Sequence, residues 1–138
     1  MRYKPEGAVE VELRWTDIDA YRHVSHMALV TIVDQGRGRW LDSLGELPDD
    51  WSYVVARLEL DFRSPAVLDD RKLLCSFAVD HVGTSSIRLH EQVTTPTGTV
   101  VLEAVSVIVA WNTDLSRSRA LTEEEKSLLS STPDHWRG

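Results

Sequence analysis

Asp17, Asp19, His23 and His26 crowd into one short stretch, TDIDAYRHVSH at 16–26. These are side chains of acid–base chemistry. A carboxylate can deprotonate water or attack a carbonyl carbon, and unpaired N–H groups at a helix start can hold the oxyanion that results. Those are the parts that acyl transfer requires. Plainer roles are open to the same residues: aspartates cap turns and helix starts, and histidines occur in loops without function. A metal site made of Asp19, His23 and His26, spaced i, i+4 and i+7, would need all three on one helix. The helix expected from Ser25 onward leaves Asp19 outside it, so no metal is expected.

The surrounding pattern says which elements must position this stretch. Residues 9–15, VEVELRW, alternate apolar and charged with period two and predict a half-buried strand. After the polar stretch, Leu29, Val33, Gly36, Trp40 and Leu44 recur at helical spacing with Ile32 beside them. Ser25 is a natural N-cap and Gly45 a natural stop. Gly36 and Gly38, lacking side chains, would let this helix approach a sheet closely.

Period two returns over 53–63, which predicts Val54, Ala56, Leu58, Leu60 and Phe62 on one face and Arg57, Glu59, Asp61 and Arg63 on the other. Strands are also expected over 73–82, over 86–95 with Ile87, Leu89 and Val93 on one face, and over 99–111. The last is so apolar that burial on both faces is expected. Gly83, Thr84 and Ser85 read as a tight connection and 96–98 as a turn. A short helix is expected in 121–131, capped by Thr122. A single long helix must bury its apolar side against one face of an antiparallel sheet. No repeat or linker divides residues 1–138, so one domain is expected.

The formal net charge of −7 argues against nucleic acid as a partner, since phosphate neutralisation needs a basic surface. A few arginines in a cleft can still bind a small anion. The single cysteine, Cys75, rules out an internal disulfide or a thiolate cluster and reads as a buried apolar side chain. No leader with an apolar core and no membrane-length apolar run is visible, so the expected location is the cytoplasm, away from the membrane.

Residues 14–41, RWTDIDAYRHVSHMALVTIVDQGRGRWL, resemble the opening of the 4-hydroxybenzoyl-CoA thioesterase-like branch of the hotdog superfamily. That branch reads as a strand, Asp-x-Asp, a short loop, His-Val-Asn or similar, and a long helix with an acidic residue three before an arginine. Asp34 and Arg37 match the late pair. Residues 54–90 are similar to the branch's following strands, its Arg-x-Pro turn and its Gly-x-Ser-Ser hairpin. The resemblance covers roughly residues 8 to 115.

The resemblance implies an α+β hotdog fold, a five-stranded antiparallel sheet wrapped around one long helix. It implies acyl-CoA thioester hydrolysis without a cofactor. Asp19 would be base or nucleophile, the backbone N–H near His26 would hold the thioester oxygen, His23 would lie beside them, and Asp17 would shape the loop. Sites are expected between the subunits of a homodimer that can pair into a tetramer. Arg63 and Arg88 are candidates for the coenzyme A phosphates, and Thr84, Ser85 and Ser86 for its pantetheine arm, although strand arginines are often only solvated. Ser25 and His26 stand where asparagines are common, and Leu29 where an aromatic is common, which bears on the acyl group. Two other readings remain: a hotdog hydratase or dehydratase, whose aspartate and histidine are five apart in an Asn-Pro loop, and an acyl-thioester binder without turnover.

Overall fold

The computed structural model describes residues 7–130. Its elements are β1 (Val9–Glu12), α1 (His26–Ser43), β2 (Tyr53–Phe62), β3 (Lys72–Val82), β4 (Ser86–Thr94), β5 (Val100–Asn112), β6 (Arg117–Ser118) and α2 (Glu123–Ser130). The sheet is antiparallel in the order β1-β3-β4-β5-β2, with the two-residue β6 added on β5. The order leaves β1 and β2 as edges. The expected hotdog arrangement is present: one long helix lies across one face of a curled antiparallel sheet.

The helix starts where its cap dictates. Ser25 is extended (φ −64°, ψ 150°), and its Oγ accepts the Ala28 N–H at 3.1 Å. It stops where Gly45 takes φ +76°, the left-handed conformation that ends helices. Its apolar side, Leu29, Ile32, Val33 and Trp40, is buried and packs over β1 and β3. Trp40 stacks on Phe77 at 5.4 Å. Gly36 faces Cys75 so closely that a Cβ there would lie 2.8 Å from the cysteine Cβ. Burial pushes the Cys75 thiol up to about 12, so it stays protonated and inert.

Three expectations need correction. The first strand ends at Glu12, not Trp15, because Trp15–Asp17 curls into a 3-10 turn. The cause is Asp17, whose carboxylate collects both the backbone N–H and the guanidinium of Arg14. In β2 the simple alternation breaks at a bulge: Val55 pairs with Ile108 and Arg57 with Val107, leaving Ala56 extra. The helix side of β2 is therefore Tyr53, Val55, Leu58, Leu60 and Phe62, and Val54 faces outward with Arg57. In β5 the helix side, Leu102, Ala104, Ile108 and Ala110, is buried together with Val101, whereas Val105, Val107 and Val109 on the outer face are only half-buried.

The terminal helix is capped as expected. Thr122 Oγ1 accepts the Glu125 N–H at 3.1 Å, and Glu125 accepts the Thr122 N–H at 2.8 Å, a reciprocal capping box. Residue 131, the expected last residue, lies outside the described residues. Among the described residues no helix is long and apolar enough to cross a membrane.

Candidate active site

The stretch between β1 and α1 folds into a small closed hairpin. The Ser25 N–H donates to the Asp17 carbonyl at 2.9 Å, Ile18 and Val24 form a bridge, and the Asp19 N–H donates to the His23 carbonyl at 2.8 Å. Arg22 makes the turn at φ +70°. The Val24 N–H donates to the Ala66 carbonyl at 2.8 Å, which ties the hairpin to the loop after β2. These bonds bring Asp19, His23 and His26 to one end of the sheet, at the start of α1.

The two aspartates differ sharply. Asp17 is buried, and both of its oxygens are engaged: Oδ2 with the Arg14 N–H at 2.8 Å and Oδ1 with Arg14 Nη2 at 3.0 Å. The Asp17 hydrogen bond and charge hold the Arg14 guanidinium more firmly protonated than usual. Asp19 is exposed. Its Oδ1 accepts the N–H groups of Tyr21 at 2.8 Å and His23 at 3.2 Å. Its Oδ2 has no such partner among the described residues. One oxygen is thus anchored and the other is open.

The helix start supplies donors. Ser25 takes the Ala28 N–H through its hydroxyl and the Leu29 N–H through its carbonyl. That leaves the His26 and Met27 N–H groups as first-turn donors without a partner among the described residues, at the positive end of the helix. The His26 ring meets Phe62 edge-on at 6.2 Å. An open carboxylate oxygen in the hairpin that leads into a helix start with unpaired N–H groups offers the parts for water activation and oxyanion binding.

The other candidates divide by position. Arg63 follows β2 at this same end, but its guanidinium lies 3.7 Å from Asp61 and 3.6 Å from Glu103. Thr84, Ser85, Ser86 and Arg88 lie at the opposite end of the sheet, at the β3–β4 hairpin. The length of β4, Ser86 to Thr94, separates the two ends by about 26 Å. A single chain does not bring these two groups together. Among the described residues no cluster of three or more His, Cys, Asp or Glu side chains could hold a metal ion.

Sequence reasoning overlooked one polar assembly. Arg37, paired with Asp34 as its spacing predicted, also reaches Glu91: Nε to Oε2 at 2.6 Å and Nη2 to Oε1 at 2.9 Å. Ser106 Oγ donates to Glu91 Oε2 at 2.8 Å. Arg37 and Glu91 are each 1% exposed. Burial works against the charge on Arg37, but the hydrogen bonds and charge of Glu91 outweigh it, so the guanidinium is held protonated. The available signal was parity, since Glu91 falls in step with Ile87, Leu89 and Val93 and must face the helix.

The chain belongs to the Thioesterase-like superfamily, whose model matches residues 13–129. It is 26% identical over 126 residues to the long-chain acyl-CoA thioesterase FadM of Escherichia coli (strain K12), covering 87% of this chain and 94% of that one. Its structure is similar to a thioesterase from Thermus thermophilus solved with coenzyme A and Zn, at TM-score 0.78 and 25% identity, covering 90% of this chain and 97% of that one. A protein from Pseudomonas aeruginosa, PA5185, shares the fold at TM-score 0.79 and 20% identity, covering 95% and 96%.

Proposed function

We propose that this protein hydrolyses acyl-CoA thioesters to a free acid and coenzyme A. Water adds across the carbon–sulfur bond: hydroxyl goes to the acyl carbon and a proton to the departing thiolate. Asp19 Oδ2 takes the proton from water, or attacks the carbonyl itself, while the His26 N–H receives the oxyanion. The observation that carries this reading is the half-anchored Asp19 carboxylate in the hairpin that leads directly into the start of α1. The similarity to FadM and to the relative solved with coenzyme A supports coenzyme A as the thiol. Release of free thiol from a panel of acyl-CoA esters tests it. A binder without turnover releases none, and a hydratase adds water elsewhere and leaves the thioester intact.

The separation of the two ends bears on assembly. β2 is a ten-residue edge strand with Val54, Val55 and Phe62 substantially exposed, and such an edge is a template for another strand. Two-fold antiparallel pairing of β2 with a second copy sets the partner's β3–β4 hairpin at the same end as this chain's Asp19. The homodimer thereby completes a site from Asp19 of one copy and Thr84–Ser86 and Arg88 of the other. Arg88→Ala should raise KM more than it lowers kcat, and mixing it with Asp19→Asn is expected to regain activity at low substrate when subunits exchange, because half of the sites in each heterodimer are then native. Activity that stays at the average of the two variants, or a monomer by light scattering at micromolar concentration, would contradict the shared site.

A further inference from the structure

One side of β2 pairs with β5, and among the described residues no strand pairs with the other. The Arg63 N–H donates to the Val101 carbonyl of β5 at 2.8 Å. Backbone groups alternate along a strand, so Asp61, Glu59 and Arg57 also turn theirs to β5. Phe62, Leu60 and Leu58 turn theirs to the free side. An antiparallel second copy must bond those three, so it can slide only in steps of two residues. Each step moves the two-fold axis by one residue along β2. It also changes which outer-face side chains stand opposite each other, at the positions where facing Cα atoms approach to about 4.5 Å.

The charges of β2 separate these registers. An axis through Arg57 sets Arg57 against the partner's Arg57. An axis through Glu59 sets Glu59 against the partner's Glu59. An axis through Leu60 sets Glu59 against the partner's Asp61 and Arg57 against the partner's Arg63. Like charges directly opposite destabilise a sheet, and opposite charges stabilise it. An axis through Leu58 is free of such clashes. Arg57 of each copy then faces Glu59 of the other, and Asp61 lies diagonal to the partner's Arg57. Within one chain Arg57 and Glu59 already form an ion pair, and this register gives each a second partner. Leu58 is also at the middle of Tyr53–Phe62, so the same axis overlaps nearly the whole strand.

We propose that the two-fold axis of the homodimer passes through Leu58, with Arg57 of each subunit paired to Glu59 of the other. The inference rests on the shared-site reading and fixes its geometry. Phe62, whose ring meets His26, lies four residues from the axis, about 13 Å along the strand. In the partner, Ser106 stands opposite Leu58, and Val109 and Ala110 lie about as far along in the same direction. Ser86 pairs with Val109, and the Ser85 carbonyl accepts the Ala110 N–H. The register therefore draws the partner's β3–β4 hairpin level with the start of α1.

Single cysteines locate the axis. Arg57→Cys, Leu58→Cys, Glu59→Cys and Leu60→Cys are each oxidised and run on a non-reducing gel, with the buried Cys75 as a silent background. Only Leu58→Cys is expected to form a disulfide-linked dimer. Its Cα atoms face at about 5.5 Å, whereas those of Arg57→Cys and Glu59→Cys are about 8 Å apart, beyond disulfide reach. Charge is tested by mixing Arg57→Glu with Glu59→Arg. Each homodimer sets like charges opposite and the heterodimer sets unlike ones, so native mass spectrometry should find the heterodimer enriched about 10-fold over a statistical mixture. Melting curves check that every variant folds. Cross-linking at 57, 59 or 60 in place of 58, or at none of them, overturns the register while the dimer stands, and so does a statistical mixture. A monomeric wild type by light scattering overturns the shared site and the register together.

Discussion

Asp19→Asn is expected to lower kcat by about 10²–10⁴-fold with a modest change in KM, the scale of losing a general base. The geometry makes this substitution unusually clean. Both N–H donors of the hairpin, from Tyr21 and His23, bond the same oxygen, Oδ1. Asparagine can present its carbonyl oxygen to both and place its amide where Oδ2 was. The turn is kept, and the charge and basicity are lost. The His26 N–H is backbone and survives, so the proposed oxyanion contact is kept and KM should change little. Asp17→Asn is the control. Asparagine can replace only one of the two oxygens that Arg14 engages, which leaves a buried mismatch worth about 1–3 kcal/mol of stability. Turnover per folded molecule should change far less. Wild-type kcat in Asp19→Asn, together with a collapse in Asp17→Asn, would mean the wrong carboxylate has been assigned.

Glu91→Ala should destabilise the fold by about 3–5 kcal/mol, a large share of the roughly 5–15 kcal/mol that holds a domain together. The loss is that large because Arg37 cannot leave. It is buried under α1 with both hydrogen bonds of its fork on Glu91, and truncating the partner strands a guanidinium away from water. Asp34→Ala removes a carboxylate that is 66% exposed and should cost under about 1 kcal/mol. The double replacement Arg37→Met with Glu91→Leu should recover most of the loss, because it removes both desolvated charges at once. Urea unfolding at one fixed protein concentration measures all three. A cost below about 1 kcal/mol for Glu91→Ala would show that water reaches the pair.

Much of this was legible in the sequence because local chemistry decided it. Ser25 and Gly45 bound the helix as capping rules require. Thr122 and Glu125 start α2 by the same rules. The Asp-x-Asp stretch marked the candidate site through its residue types. The misreadings came where a distant contact overrode local pattern. Period-two counting through 53–63 assumed an unbroken strand, but one extra residue at Ala56 moved Val54 to the outer face. Residues 13–15 alternate like a strand, yet Asp17 curls them by capturing Arg14. The Arg37–Glu91 pair spans fifty-four positions, and nothing in either segment names the other. The two ends of the sheet are equally invisible to a linear reading, which placed Arg63 and Arg88 in one list although the fold sets them far apart.

The contact at Gly36 reaches further than its size implies. With only a hydrogen facing Cys75, the helix can sit low over β3, while it stands away from β2 on its other side. Helix and sheet thus make a wedge, closed along one rim and gaping along the other, with the tight rim as its fulcrum. A methyl group at position 36 would collide with the Cys75 Cβ at 2.8 Å and Sγ at 2.9 Å, and the helix would have to rock to relieve it. Rocking about that rim changes the gape beside Leu58 and Leu60, although position 36 never touches anything that lies there. The width of the mouth is therefore set from the far side of the helix, by the absence of a single carbon.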